Sequence, residues 1–136
     1  MPNPEHQTFT PALSALTLLV DDIGVSRDFY SQTFAQQAQW EDDHSVGFNL
    51  GSVVLNLLLA SEGERLVAPA AVGNRESGLR NQLSIWVDDI DTVVDILQQR
   101  GVSFDTDPVD QPWNMRTATF RDPDGHAWEI AQDLSS

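Results

Sequence analysis

Leu16-Thr17-Leu18-Leu19-Val20-Asp21-Asp22-Ile23 is echoed by Leu83-Ser84-Ile85-Trp86-Val87-Asp88-Asp89-Ile90, 67 residues further along a chain of 136. In the same register Asp28 falls against Asp95, and Phe29-Tyr30 against Ile96-Leu97. A shift of about half the chain marks a duplicated unit. In each copy an apolar run of strand character ends in an Asp-Asp pair. Its side-chain oxygen can cap the free N–H groups of a helix start. Helical spacing follows: Ile23, Ser26/Arg27 and Tyr30 lie along one stripe, and Ile90, Val93/Val94 and Leu97 along the other. Phe34 and Leu97 end the stripes, and Gly101 stops the second helix in the left-handed conformation that glycine adopts at little cost.

Short strand-like segments follow each helix. In the first half they cover 37–41, Ser45–Leu50 and Val53–Leu59, with Gly51-Ser52 as a hairpin turn. In the second they cover 103–105, Met115–Arg121 and 127–131, with Asp122-Pro123-Asp124-Gly125 as a tight turn. Each half therefore reads strand–helix–strand–strand–strand. The predicted organisation is one domain over 1–136: a module at 12–60, a linker at 61–81 rich in Gly, Ala, Pro and charge, and a module at 82–133, with 1–11 as a loose arm. One such unit of about 60 residues buries too little surface to be secure alone. Two units, each with one sheet face under its helix, leave two free faces that can curve into a cleft, the natural place for a ligand.

Composition narrows the function classes. Twenty-one acidic residues against seven arginines and no lysine give a net charge of −14. Phosphate neutralisation needs a basic face, so nucleic acid is not an expected partner, and an anionic membrane surface is disfavoured for the same reason. Neutral or cationic small molecules are compatible with the charge. The absence of cysteine excludes disulfides, thiolate metal sites and thiol nucleophiles. No apolar run approaches the roughly 20 residues of a bilayer span, and no basic, apolar-cored leader is recognisable, so a cytoplasmic protein is the expectation.

The chain resembles the vicinal oxygen chelate superfamily of glyoxalases, extradiol dioxygenases and bleomycin-resistance proteins. The resemblance rests on Leu16–Ile23 with Asp28-Phe29-Tyr30, on the echo at Leu83–Ile90, and on Arg121-Asp122-Pro123-Asp124-Gly125-His126-Ala127-Trp128-Glu129-Ile130. Pro112-Trp113-Asn114-Met115-Arg116 looks like the glyoxalase-like and bleomycin-resistance branch. It spans roughly residues 13–132 and implies an α+β fold of two βαβββ modules whose curved mixed sheets form a cleft. It also implies a homodimer, with the cleft built from modules of one chain or of two. Metal-using members carry ligands at positions that correspond here to Ala15, Asn56, Gln82 and Glu129. Only Glu129 is a charged donor, Ala15 cannot ligate, and the amides of Asn56 and Gln82 are weak donors for a transition ion. No cofactor is therefore expected.

Strand alternation gives the lining of the cleft. If the four corresponding positions face it, Thr17 and Leu19 accompany Ala15, Val54 and Leu58 accompany Asn56, Ser84 and Trp86 accompany Gln82, and Ala127 and Ala131 accompany Glu129. Leu16, Leu18, Val20, Leu83, Ile85, Val87, Trp128 and Ile130 then pack under the helices, and that set is almost wholly apolar. The expected ligand-binding residues are Thr17, Asn56, Gln82, Trp86, Trp113 and Glu129. Trp86 offers a stacking face, Trp113 a lid, and Glu129 a general base or counter-ion. His6, His44 and His126 read as solvated or structural, and Arg116 as a salt-bridge partner. The function expected is metal-free binding of a neutral or cationic, partly aromatic molecule. The alternative is a divalent-metal glyoxalase-like lyase, isomerase or dioxygenase using Gln82, Glu129 and Asn56.

Overall fold

The computed structural model describes residues 8–135; His6 and most of the expected N-terminal arm lie outside them. β1 (Ala15–Val20) leads into α1 (Ile23–Phe34), and β2 (Trp40–Glu41), β3 (Ser45–Leu50) and β4 (Val53–Leu59) complete the first module. β5 (Leu83–Trp86), α3 (Ile90–Gln99), β6 (Phe104–Asp110), β7 (Met115–Arg121) and β8 (Ala127–Asp133) repeat it. The Asp-Asp pairs cap both helices. The Asp22 carboxylate accepts from Val25 N at 3.1 Å and that of Asp89 from Thr92 N at 3.2 Å. Gly125, at φ 91°, lets its N–H return to the Asp122 carbonyl at 2.9 Å and close the turn before β8.

Each module is a four-stranded mixed sheet, ordered β1-β4-β3-β2 in the first and β5-β8-β7-β6 in the second. β1 runs parallel to β4 and β5 to β8, while the remaining pairs are antiparallel. β1 and β5 are outermost strands. Among the described residues no helix is long and apolar enough to cross a membrane.

Several elements differ from the sequence reading: β2 keeps only Trp40–Glu41 of the expected 37–41, and β8 runs on to Asp133. The stretch 61–81 is not plain linker: α2 (Ala60–Val67) follows β4 directly, and Arg75–Ser77 form one 3₁₀ turn. Its Gly, Ala, Pro and charge suggest a linker, but α2 uses Gly63 to seat closely on β1. A Cβ at Gly63 would come within 2.5 Å of Leu19, so tertiary contact overrides propensity. β6 extends to Asp110 despite Pro108, because β6 is an edge strand with register shifts on either side of Thr106.

The two modules share one core. The expected inward set packs there: Leu18, Val20, Trp128 and Ile130 are buried, and Leu16, Leu83, Ile85 and Val87 pack against them. Tyr30 of α1 is fully buried, with its ring 6.3 Å from Phe48 of the first sheet and 5.9 Å from Trp128 of the second. Phe29 reaches Phe120 of β7 at 6.4 Å. The Tyr30 hydroxyl donates to Asp122 at 2.5 Å and accepts from Trp128 Nε1 at 2.9 Å. Burial, with the Asp122 carboxylate adding to it, drives the Tyr30 phenol far above its ordinary pKa. The helix-bearing faces of both sheets thus close on the same aromatic cluster.

Candidate functional site

The faces opposite that core carry the residues expected to line the cleft. Strand register sets them in two matching rows. On the first sheet Thr17 stands beside Asn56, Asn56 beside Gly47, and Gly47 beside Trp40. On the second, Ser84 stands beside Glu129, Glu129 beside Thr119, and Thr119 beside Thr106. Thr17 and Ser84 are equivalent in the repeat, and so are Asn56 and Glu129.

Each row is internally hydrogen-bonded. Asn56 Nδ2 donates to Thr17 Oγ1 at 3.3 Å, and Ser84 Oγ donates to Glu129 Oε1 at 2.7 Å. The Thr106 and Thr119 hydroxyls meet at 3.0 Å. These bonds leave one Glu129 oxygen and the Asn56 carbonyl facing outward as acceptors. Trp86, on the same strand face as Ser84, is 69% exposed and Trp113, in the β6–β7 loop, 64%. Gln82 lies just before β5, exposed and without a side-chain hydrogen bond among the described residues.

Within one chain the two rows stand apart, because both look away from the shared core. Asn56 and Thr17 are on one sheet, Glu129, Ser84 and Trp86 on the other, and no hydrogen bond or ion pair joins the two sets among the described residues. Trp40 is a residue that sequence reasoning missed. Its indole lies over Gly47, where a Cβ would come within 2.2 Å of the ring. The available signal was a glycine inside a strand, which marks close approach of another group.

The remaining candidates have structural partners. His126 Nε2 lies 3.0 Å from the Leu19 carbonyl, and His44 lies 3.7 Å from Glu62 at the surface. Arg116 turns to the helix side of its sheet, where it donates to Asp110 at 2.8 Å and to Asp91 at 3.2 Å; both contacts hold its pKa above the ordinary value. Among the described residues no three His, Cys, Asp or Glu side chains gather in a metal-ligating group. The rows offer a divalent transition ion one carboxylate, already bonded to Ser84, and neutral amide or hydroxyl oxygens. That donor set does not fit a tightly held ion.

A cavity of about 370 Å³ lies between the end of β1, the segment 72–81 and the β7–β8 turn. Of the expected ligand-binding residues only Thr17 lines it.

A Bacillus subtilis protein, "Uncharacterized protein YraH", is 30% identical over 132 residues, covering 90% of this chain and 98% of its own. The crystal structure of a glyoxalase/bleomycin resistance protein/dioxygenase from Nocardioides superposes with a TM-score of 0.85 at 25% identity, over 97% of this chain and 89% of that one. The lactoylglutathione lyase of Agrobacterium tumefaciens shares the fold, with a TM-score of 0.72 at 18% identity over 90% of this chain and 94% of its own. A sequence profile for the Glyoxalase/Bleomycin resistance protein/Dioxygenase superfamily matches residues 12–130. With the paired modules, their mixed sheets and the capped helices, that match over most of the chain shows that the protein belongs to this superfamily.

Proposed function

We propose that the protein binds a neutral or cationic, partly aromatic small molecule without a resident metal, in a cleft that a second copy of the chain completes. The observation that carries the reading is the pair of equivalent rows on outward sheet faces. β1 and β5 are outermost strands, so two copies related by a twofold axis can bring β1 of one beside β5 of the other. The row Thr17–Asn56–Trp40 then faces Ser84, Trp86 and Glu129 of the second copy. Two indole faces, amide and hydroxyl groups and one carboxylate suit an aromatic molecule with a positive charge or a hydrogen-bond donor. A solvent-facing Trp86 on a sheet face is otherwise an uncovered apolar group.

Light scattering and calorimetry test this. The expected result is a dimer, with binding of at least one member of a panel of cationic and neutral aromatic compounds. Trp86→Ala weakens that binding by about tenfold or more, as loss of a buried aromatic anchor does, while Glu129→Gln selectively weakens the cationic members. A monomer at all concentrations, or no binding across several chemotypes, sinks the reading. So does stoichiometric zinc, nickel, manganese or iron in protein purified without chelator and lost in Glu129→Gln.

A further inference from the structure

Seven arginines in a chain with 21 acidic residues should all find carboxylates, and among the described residues four do. Arg27 pairs with Asp28 and Glu41, Arg65 with Glu62, Arg116 with Asp91 and Asp110, and Arg121 with Asp105. Arg100 turns to the Thr33 carbonyl in the core. The two remaining arginines, Arg75 and Arg80, line the same cavity beside the end of β1. Arg75 donates to the Pro123 carbonyl, and Arg80 has no hydrogen bond or ion pair among the described residues. Asp21 and Asp124 line that cavity too, yet neither pairs with an arginine. Asp124 instead accepts from Asp21 N at 2.8 Å. Opposite charges thus share one hollow without cancelling each other.

We propose that this cavity is a second small-molecule site, one that takes a compact zwitterion bearing both a carboxylate and an ammonium group, such as an amino acid or dipeptide. The guanidinium groups of Arg75 and Arg80 supply planar donor forks matched to a carboxylate. Asp21 and Asp124 supply acceptors for the ammonium group. A volume of about 370 Å³ falls at the lower end of small-molecule pockets. The site stands independently of the paired rows, of whose residues only Thr17 borders it.

An NMR titration of the full-length chain tests the proposal, with free amino acids and dipeptides headed by L-alanyl-L-alanine as probes. At least one zwitterion should shift backbone signals in 72–81 and 121–126 saturably. Amidating its carboxylate should weaken binding by about tenfold, as loss of charge-assisted bonds does. Arg80→Gln should do the same, and because Arg80 makes no hydrogen bond or ion pair among the described residues that variant should stay folded. Acetylating the ammonium group should also weaken binding, and Trp86→Ala should leave it unchanged, which separates this site from the paired-row cleft. The proposal fails if no probe shifts these signals at about 10 mM, well above ordinary weak-site affinities. It also fails if the amidated probe binds equally well, or if Arg80→Gln has no effect.

Discussion

Tyr30 ties the two halves of the molecule together through one oxygen. Its hydroxyl satisfies a buried carboxylate oxygen of Asp122 and the indole N–H of Trp128, and both partners belong to the other module. Tyr30→Phe leaves both without a partner in a dry core, so unfolding in urea should show a loss of about 2–3 kcal/mol. Ser26 is the opposite case. It sits in the same helix, fully buried, and its Oγ has no hydrogen-bond partner among the described residues. Ser26→Ala removes the unpaired hydroxyl and improves helix propensity, so the same measurement should show a gain of about 1 kcal/mol. The sequence put Ser26 on the inward stripe but could not show this, because burial of one hydroxyl depends on what packs over it.

At the level of elements, the helix caps have an acid-sensitive side. Hydrogen bonds from the Thr92 hydroxyl and backbone hold the Asp89 carboxyl below the usual carboxylate range. A depressed folded-state pKa stabilises above the unfolded value, and that contribution is lost as pH falls through the folded value. Asp124 works the other way. Desolvation, with Asp122 and Asp21 adding repulsion, raises its pKa, so protonation between the unfolded and folded values favours the fold. Urea midpoints should therefore decline less steeply in Asp89→Asn than in the parent chain as pH falls below about 4, and more steeply in Asp124→Asn as pH falls toward about 4 from above. These caps, the β7–β8 turn and the strand faces were legible because each depends on local chemistry: a side-chain oxygen before a helix, a Pro-Asp-Gly turn, an alternation of apolar positions. α2 was not legible, since it exists through the approach of Gly63 to Leu19, a contact between segments 44 residues apart in sequence. Nor was Trp40, whose place over Gly47 depends on the pairing of β2 with β3.

For the whole molecule, the pattern of apolar positions predicted which face of each sheet lies inward but not what that face would meet. Modules that curve around a shared hollow and modules that join through their helices both need an apolar helix side. The structure has the second arrangement, with both sheets closing on Tyr30. One core implies one transition, so scanning calorimetry of the full chain should give equal calorimetric and van't Hoff enthalpies; two resolved transitions would contradict the shared core. The four tryptophans divide along the same boundary: Trp128 is 3% exposed, whereas Trp40, Trp86 and Trp113 are 40%, 69% and 64% exposed. The protein therefore carries two natural optical channels. A neutral quencher such as acrylamide should extinguish the red-shifted emission of the outer three while sparing the blue emission of the inner one, so that occupancy of the surface and integrity of the interior can be followed separately in a single cuvette.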